Sequence, residues 1–159
     1  MTSHSEINTD ILIVGAGPTG LLLANLLSRM SVSFVIIDKK TTTISDPRAV
    51  SIDDESMRAL QAAGLSEAVQ RITVRGYGSI YYGPKGQPFT QVKPASREYG
   101  FDKRNAFHQP ELEKIMEDAL TVSDNDCGVM FETELTHFGQ TADYVNAICI
   151  GSDQHKMHI

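Results

Sequence analysis

An α/β architecture around a central parallel sheet is what this sequence predicts, and three observations carry that prediction. The short apolar runs Ile11–Val14 and Phe34–Ile37 lack polar alternation, as strands covered on both faces do. Between them, Leu21, Leu22, Ala24, Asn25, Leu26, Leu27 and Met30 form a largely apolar crossover helix. The first run breaks directly into Gly15-Ala16-Gly17-Pro18-Thr19-Gly20, so strand, glycine turn and helix follow in nucleotide-binding order.

Each glycine has a separate reason. Gly15 permits the tight turn, Gly17 lets backbone approach a phosphate, and Gly20 lets helix and strand pack closely. A pyrophosphate is favoured there because the amides of a helix's first turn lack partners and the macrodipole is positive at that end. Asp38 closes the second strand at close to the spacing of about 20 residues expected for a carboxylate on an adenosine ribose. A carboxylate there repels a 2′-phosphate, so FAD or NAD is expected in preference to NADP. The plain alternative is a solvated acid at a strand end.

After the polar loop 41–48, Asp53-Asp54-Glu55 opens a helix with acids in its first turn and Gly64 as its C-terminal stop. Those three acids are better explained as a helix start than as a catalytic pair. Residues 66–72 form a further short helix. Glycine, proline and tyrosine then crowd residues 76–89, which predicts a β-hairpin about a Gly83-Pro84-Lys85-Gly86 turn. No basic residues interleave with its aromatics, so packing is expected of them rather than base stacking. Pro110 suits the first position of a helix whose apolar face is Leu112, Ile115, Met116, Ala119 and Leu120. Strands follow near 128–132, 135–139 and 144–150, with Asp124-Asn125-Asp126 read as a turn that lacks calcium-loop spacing. No pattern marks the tail 151–159, and residues 1–9 read as a disordered lead.

At 159 residues the chain fits one domain, 10–159, with enough apolar content for a core. A net charge of −6 and a pI near 5.3 argue against nucleic acid or an anionic membrane as partner. No apolar run approaches the roughly 20 residues of a membrane span, and the first ten residues carry no signal-peptide core, so a cytoplasmic setting is expected. Cys127 and Cys149 stand without C-x-x-C spacing and read as incidental thiols. His4, His108, His137, His155 and His158 show no metal-ligand spacing, so no metal is expected.

Four segments stand in order: Gly15–Gly20, Asp38, the run Pro47-Arg48-Ala49-Val50-Ser51-Ile52-Asp53-Asp54-Glu55, and Arg104-Asn105-Ala106-Phe107-His108-Gln109-Pro110-Glu111-Leu112. Together they resemble the single-component, FAD-dependent aromatic hydroxylases, and the last two look most like the 3-(3-hydroxyphenyl)propionate hydroxylase branch. The resemblance implies a Rossmann-like FAD-binding fold with an inserted β-hairpin or meander. It implies FAD on Gly15, Ala16, Gly17, Pro18, Thr19 and Gly20, with Asp38 and the adjacent Lys39 at the ribose. Arg48 matches an arginine that contacts FAD, and Gln109 a glutamine that reaches its phosphate or ribityl region. A guanidinium beside a pyrophosphate makes charge-assisted bonds, and an amide ahead of a helix can bridge hydroxyls. A surface arginine and a helix-capping glutamine are the plain alternatives.

The activity implied is hydroxylation of a phenolic or polyketide-type aromatic, with NAD(P)H reducing FAD and O2 supplying the oxygen. The family's later fingerprints are expected to be missing, because no Asp-Gly pair occurs and Gly151-Ser152-Asp153 stands where the second would begin. The substrate domain is therefore expected to be absent, as in a truncated member. Weak FAD affinity and self-association through uncovered surface follow. A nucleotide-binding remnant without turnover is one alternative. An NAD-dependent dehydrogenase is another, although it leaves Arg48 and Gln109 without a role.

Overall fold

The computed structural model describes residues 5–43, 45–121, 128–153 and 155–159. In chain order its elements are β1 (Ser5–Glu6), β2 (Ile11–Val14), α1 (Pro18–Arg29), β3 (Phe34–Ile37), β4 (Ser51–Asp53), α2 (Asp54–Ala62), α3 (Ser66–Arg71) and β5 (Val74–Arg75). There follow β6 (Ser79–Tyr82), β7 (Pro88–Val92), β8 (Arg104–Ala106), α4 (Gln109–Thr121), β9 (Val129–Met130), β10 (Glu134–Gln140), β11 (Val145–Ile150) and β12 (Lys156–His158). The chain divides into two compact units, one of Met1–Ile44 with Met116–Ile159 and one of Ser45–Ile115.

In the first unit, β2, β3 and β9 make a parallel sheet in that order, with Ile11 opposite Phe34 and Ile36 opposite Val129. The two predicted strands are thus neighbours joined through α1. Helix α1 turns Leu21, Ala24 and Leu27 inward, all buried. Asn25 is buried among them because its Nδ2 donates to the Leu21 carbonyl at 2.8 Å and the Met116 carbonyl at 2.9 Å. A buried amide so paired avoids the desolvation penalty of an orphaned polar group. The helix stops at Ser31, whose φ is 55°, in a Schellman arrangement: Val32 N donates to Leu27 O and Ser31 N to Ser28 O.

An antiparallel β10–β11–β12 meander covers the core around Ile37, Cys149 and Met157, packed with Leu12, Val35, Met130 and Leu135. Burial raises the pKa of the free Cys149 thiol. The lead and tail differ from expectation. Ser5–Glu6 pairs in parallel with Met157–His158, so over these residues two polar ends supply each other's hydrogen bonds. Cys127, the 124–126 turn and His4 lie outside the described residues.

The second unit carries the antiparallel sheet β4–β8–β5 and the helices α2 and α3. Asp53 caps α2 by accepting from Ser56 N at 2.8 Å, and Gly64, at φ 79°, closes it as anticipated. The β6–β7 hairpin forms about the foreseen turn. Tyr81, Tyr82 and Phe89 of the hairpin are exposed, Tyr81 lying 6.3 Å from Phe89 between ring centroids, whereas the half-buried Tyr77 just before it has its ring under Arg104 at 4.9 Å. On α4, Leu112, Met116 and Leu120 are buried as the periodicity requires, but so is Glu113.

Candidate functional site

Parallel strands β2 and β3 end side by side: β2 runs into the glycine turn, and β3 ends beside it at Asp38. Gly15, at φ 112°, takes a backbone conformation closed to other residues, and its N–H donates to Ile37 O at 2.8 Å. Gly17 is the N-cap of α1 at φ −81°, a value any residue adopts, and a Cβ there would meet nothing within 4 Å. Neither its backbone conformation nor packing among the described residues therefore demands glycine, and the space in front of it is open. Gly20 is different: a Cβ on it would collide with the Gly15 carbonyl oxygen and lie 3.3 Å from Ile13 Cγ2. No side chain caps α1, and Pro18 opens it, so the first-turn amides are left to an incoming acceptor.

Asp38 does more than stand at a strand end. Its Oδ2 accepts from Ala16 N at 2.9 Å and its Oδ1 from Lys40 N at 2.9 Å, which clamps the glycine turn to the end of β3. A carboxylate has about four acceptor positions, so two stay available for hydroxyls. Past β3 the chain is held against the segment after β9: Asp38 N donates to Met130 O, Thr133 N to Asp38 O, and Glu132 N to Lys40 O. Glu132 adopts φ 52° to make that bend.

Two adjoining clefts result. One, of about 390 Å³, is lined by Val14, Gly15, Ile37, Asp38, Lys39, Lys40, Thr133, Glu134 and Leu135. The other, of about 320 Å³, lies along Ile13, Val14, Gly15, Gly17, Pro18, Thr19, Gly20 and Leu23. Lys39 Nζ stands 3.9 Å from Glu134 Oε1, both side chains well exposed, a contact contributing about 1 kcal/mol at most. This unit thus brings together Gly15 to Gly20, Asp38 and Lys39 of the sequence-predicted set. Thr133 and Glu134 went unforeseen, because only the pairing of β9 with β3 carries them there.

Arg48 and Gln109 belong to the other unit and are brought to each other. Gln109 is buried, and its Oε1 accepts from both Arg48 N and Ala49 N at 2.9 Å. Its Nε2 donates to Glu113 Oε1 at 2.8 Å, one turn along α4. The Arg48 side chain is exposed and makes no ion pair among the described residues. Ser56, through its hydroxyl and then its amide, holds the Asp53 carboxyl below its usual pKa, in keeping with a cap.

A glycine turn between parallel strand and helix, a strand-end carboxylate and a cleft along both define a dinucleotide-binding protein. The chain belongs to the FAD binding domain family, whose pattern matches residues 8–158. It is 39% identical over 147 residues to the 3-(3-hydroxy-phenyl)propionate/3-hydroxycinnamic acid hydroxylase of Klebsiella pneumoniae subsp. pneumoniae, covering 92% of this chain and 26% of that protein. Its counterpart in Comamonas testosteroni is 42% identical over 136 residues, covering 86% and 23%. The chain therefore spans about a quarter of the length of these curated relatives.

Among solved structures, p-nitrophenol 4-monooxygenase PnpA from Pseudomonas putida DLL-E4 matches with a TM-score of 0.84 at 21% identity, over 97% of this chain and 39% of its own. The flavin-dependent monooxygenase PieE, in complex with FAD and substrate, matches at 0.81 and 18% identity, over 96% and 29%. At such identities the likeness is one of fold, and it establishes the α/β FAD-binding architecture.

Proposed function

We propose that this chain supplies FAD binding to a flavin-dependent monooxygenase that hydroxylates a phenolic or polyketide-type aromatic using NAD(P)H and O2. The observation that carries the reading is the glycine turn with open space before Gly15 and Gly17 and a carboxylate fixed beside it. In this reading Gly15, Ala16, Gly17, Pro18, Thr19 and Gly20 hold the pyrophosphate, neutralised by first-turn amides and the helix dipole. Asp38 and Lys39 serve the ribose side, and the carboxylate disfavours a coenzyme bearing a 2′-phosphate at that position. Arg48 and Gln109 are assigned to FAD on the family motif alone. Bound FAD supplies the electron transfer and oxygen activation; the residues of this chain bind and orient it.

The hydroxylase names of the relatives support the aromatic substrate class. No helix among the described residues is long and apolar enough to cross a membrane. Consumption of NAD(P)H supports a cytoplasmic setting, the acidic charge argues against nucleic acid, and exposed Ile80, Tyr81, Tyr82 and Phe89 support self-association. The test is to titrate the purified 159-residue chain with FAD and follow the visible spectrum and flavin fluorescence. Saturable one-to-one uptake, competed poorly by NAD, is expected. A cooperatively folded chain that takes up no FAD, or that prefers NAD, overturns the reading.

A further inference from the structure

We infer that two copies of this chain join through the outer edge of β6, strand to strand about a two-fold axis at Tyr81; the inference rests on the self-association proposed above and gives it a surface. The β6–β7 hairpin is a sheet of two strands, and a lone hairpin is marginal in water. Beyond its pairing with β7, β6 makes no backbone hydrogen bond among the described residues. Ile80, Tyr81 and Tyr82 are 50%, 46% and 60% exposed. Arg104 Nη1 holds the start of the strand by donating to Ser79 Oγ at 3.2 Å.

Free strand edges are ordinarily guarded by a charge, a proline or a bulge. Such guards stand on other ends of the described sheets: Glu6 on β1, Asp53 on β4, Arg75 on β5, and Glu134 with a bulge on β10. β7 opens at Pro88 and bulges at Phe89, since Tyr81 faces Thr90 and Tyr82 faces Pro88. β2 is uncharged, but Ile11, Leu12 and Ile13 are half-buried or buried, and β9 has two residues. The run Ser79-Ile80-Tyr81-Tyr82 of β6 carries no guard. Nor does any acid occur from 76 to 96 in a chain of net charge −6, so two copies meet here with little repulsion.

The occupant is a second copy because the strand complements itself. Antiparallel pairing about Tyr81 sets Ile80 beside Tyr82 of the second copy on one face, and the two Tyr81 rings beside each other on the opposite face. Aromatic–aliphatic and aromatic–aromatic pairs are favourable cross-strand neighbours. An axis at Ile80 sets the tyrosines against Ser79 and Gly78 instead. At about 200 Å² per aromatic side chain, Ile80, Tyr81, Tyr82 and Phe89 offer roughly 400 Å² per copy. The total of about 800 Å² lies below the roughly 1,200 Å² of stable interfaces, so the dimer is weak and reversible.

Sedimentation equilibrium of the 159-residue chain without FAD, from about 5 to 500 μM, tests this. A monomer–dimer equilibrium with no larger species is expected. Tyr81→Lys places like charges at the axis and weakens the dimer at least about tenfold, as Tyr81→Glu does. Mixing the two variants restores association to within about threefold of native, because only a residue on the axis meets its own counterpart. Phe138→Lys, equally exposed but in the other unit, leaves the dimer unchanged. In the native chain, amides of 79–82 gain hydrogen-exchange protection as concentration rises, a readout that needs no variant to fold. Failure of the mixture to associate, loss of the dimer on Phe138→Lys, open-ended association or unchanged exchange overturns the inference and leaves self-association standing. A native chain that stays monomeric throughout overturns both, and FAD titration judges the coenzyme reading separately.

Discussion

Gly17 and Gly20 look interchangeable in the glycine motif, yet the structure assigns them opposite consequences when each is replaced by alanine. At Gly20 the new Cβ meets the Gly15 carbonyl, a backbone atom that cannot rotate away, and Ile13 Cγ2 at 3.3 Å. Overpacking of this kind costs about 1–3 kcal/mol, with the upper end expected against backbone, offset by up to about 1 kcal/mol from alanine's better helix propensity. The net loss of about 2 kcal/mol lowers the midpoint of thermal unfolding by roughly 4–8 °C for a chain of this size. At Gly17 the Cβ meets nothing and φ is already −81°. The poorer N-cap and the stiffer unfolded chain each amount to about 0.5–1 kcal/mol with opposite sign, so the melting temperature stays within about 2 °C. In the proposed site the same Cβ stands in the path of the pyrophosphate, and FAD affinity is expected to fall at least about tenfold, or 1.4 kcal/mol. Differential scanning calorimetry and FAD titration on both variants give the test. Equal destabilisation of the two, or a Gly17→Ala chain that binds FAD like the native one, refutes the reasoning.

Two further outcomes concern stability alone. Ser31→Gly relieves a left-handed conformation at the end of α1 that costs a non-glycine residue about 1–2 kcal/mol; less the added freedom of the unfolded chain, it raises stability by about 0.5–1 kcal/mol in urea melts. Asp53→Ala removes the cap of α2 and costs about 0.5–2 kcal/mol at neutral pH. Because folding lowers the Asp53 pKa below 3.8, that contribution is fully present above the unfolded value and is lost as pH falls through the folded one. The gap between native and variant melts should therefore close below about pH 4, and a gap that widens in acid sinks the assignment.

How much of the fold is legible in the residues follows the range of the forces involved. The glycine turn, Asp38, the acidic start of α2 and its stop at Gly64 were legible because each answers a local demand, although Asp53 proves to be the cap before the first turn rather than part of it. The apolar face of α4 was legible from its period. Glu113 broke that pattern: it accepts from Gln109 one turn back on the helix, and Gln109 in turn accepts from Arg48 and Ala49, 61 and 60 residues away. Thr133 and Glu134 reach the cleft only through the long-range pairing of β9 with β3. Likewise β1 and β12 are too short for any periodicity: β1 forms on β12, and β12 on β1 and β11. The hairpin aromatics were misjudged since composition announces a strand but not what covers it.

With Asp38 in its proposed role at the ribose, its clamp to Ala16 would tie coenzyme choice to the shape of the turn itself. In a scaffold whose selective acid merely projects from a strand, preference between coenzymes can drift by changing one residue. Here, exchanging that acid for a cation or a small residue would also release the amide that keeps the turn closed. Coenzyme preference and loop architecture would then change together, in a single substitution at the end of β3.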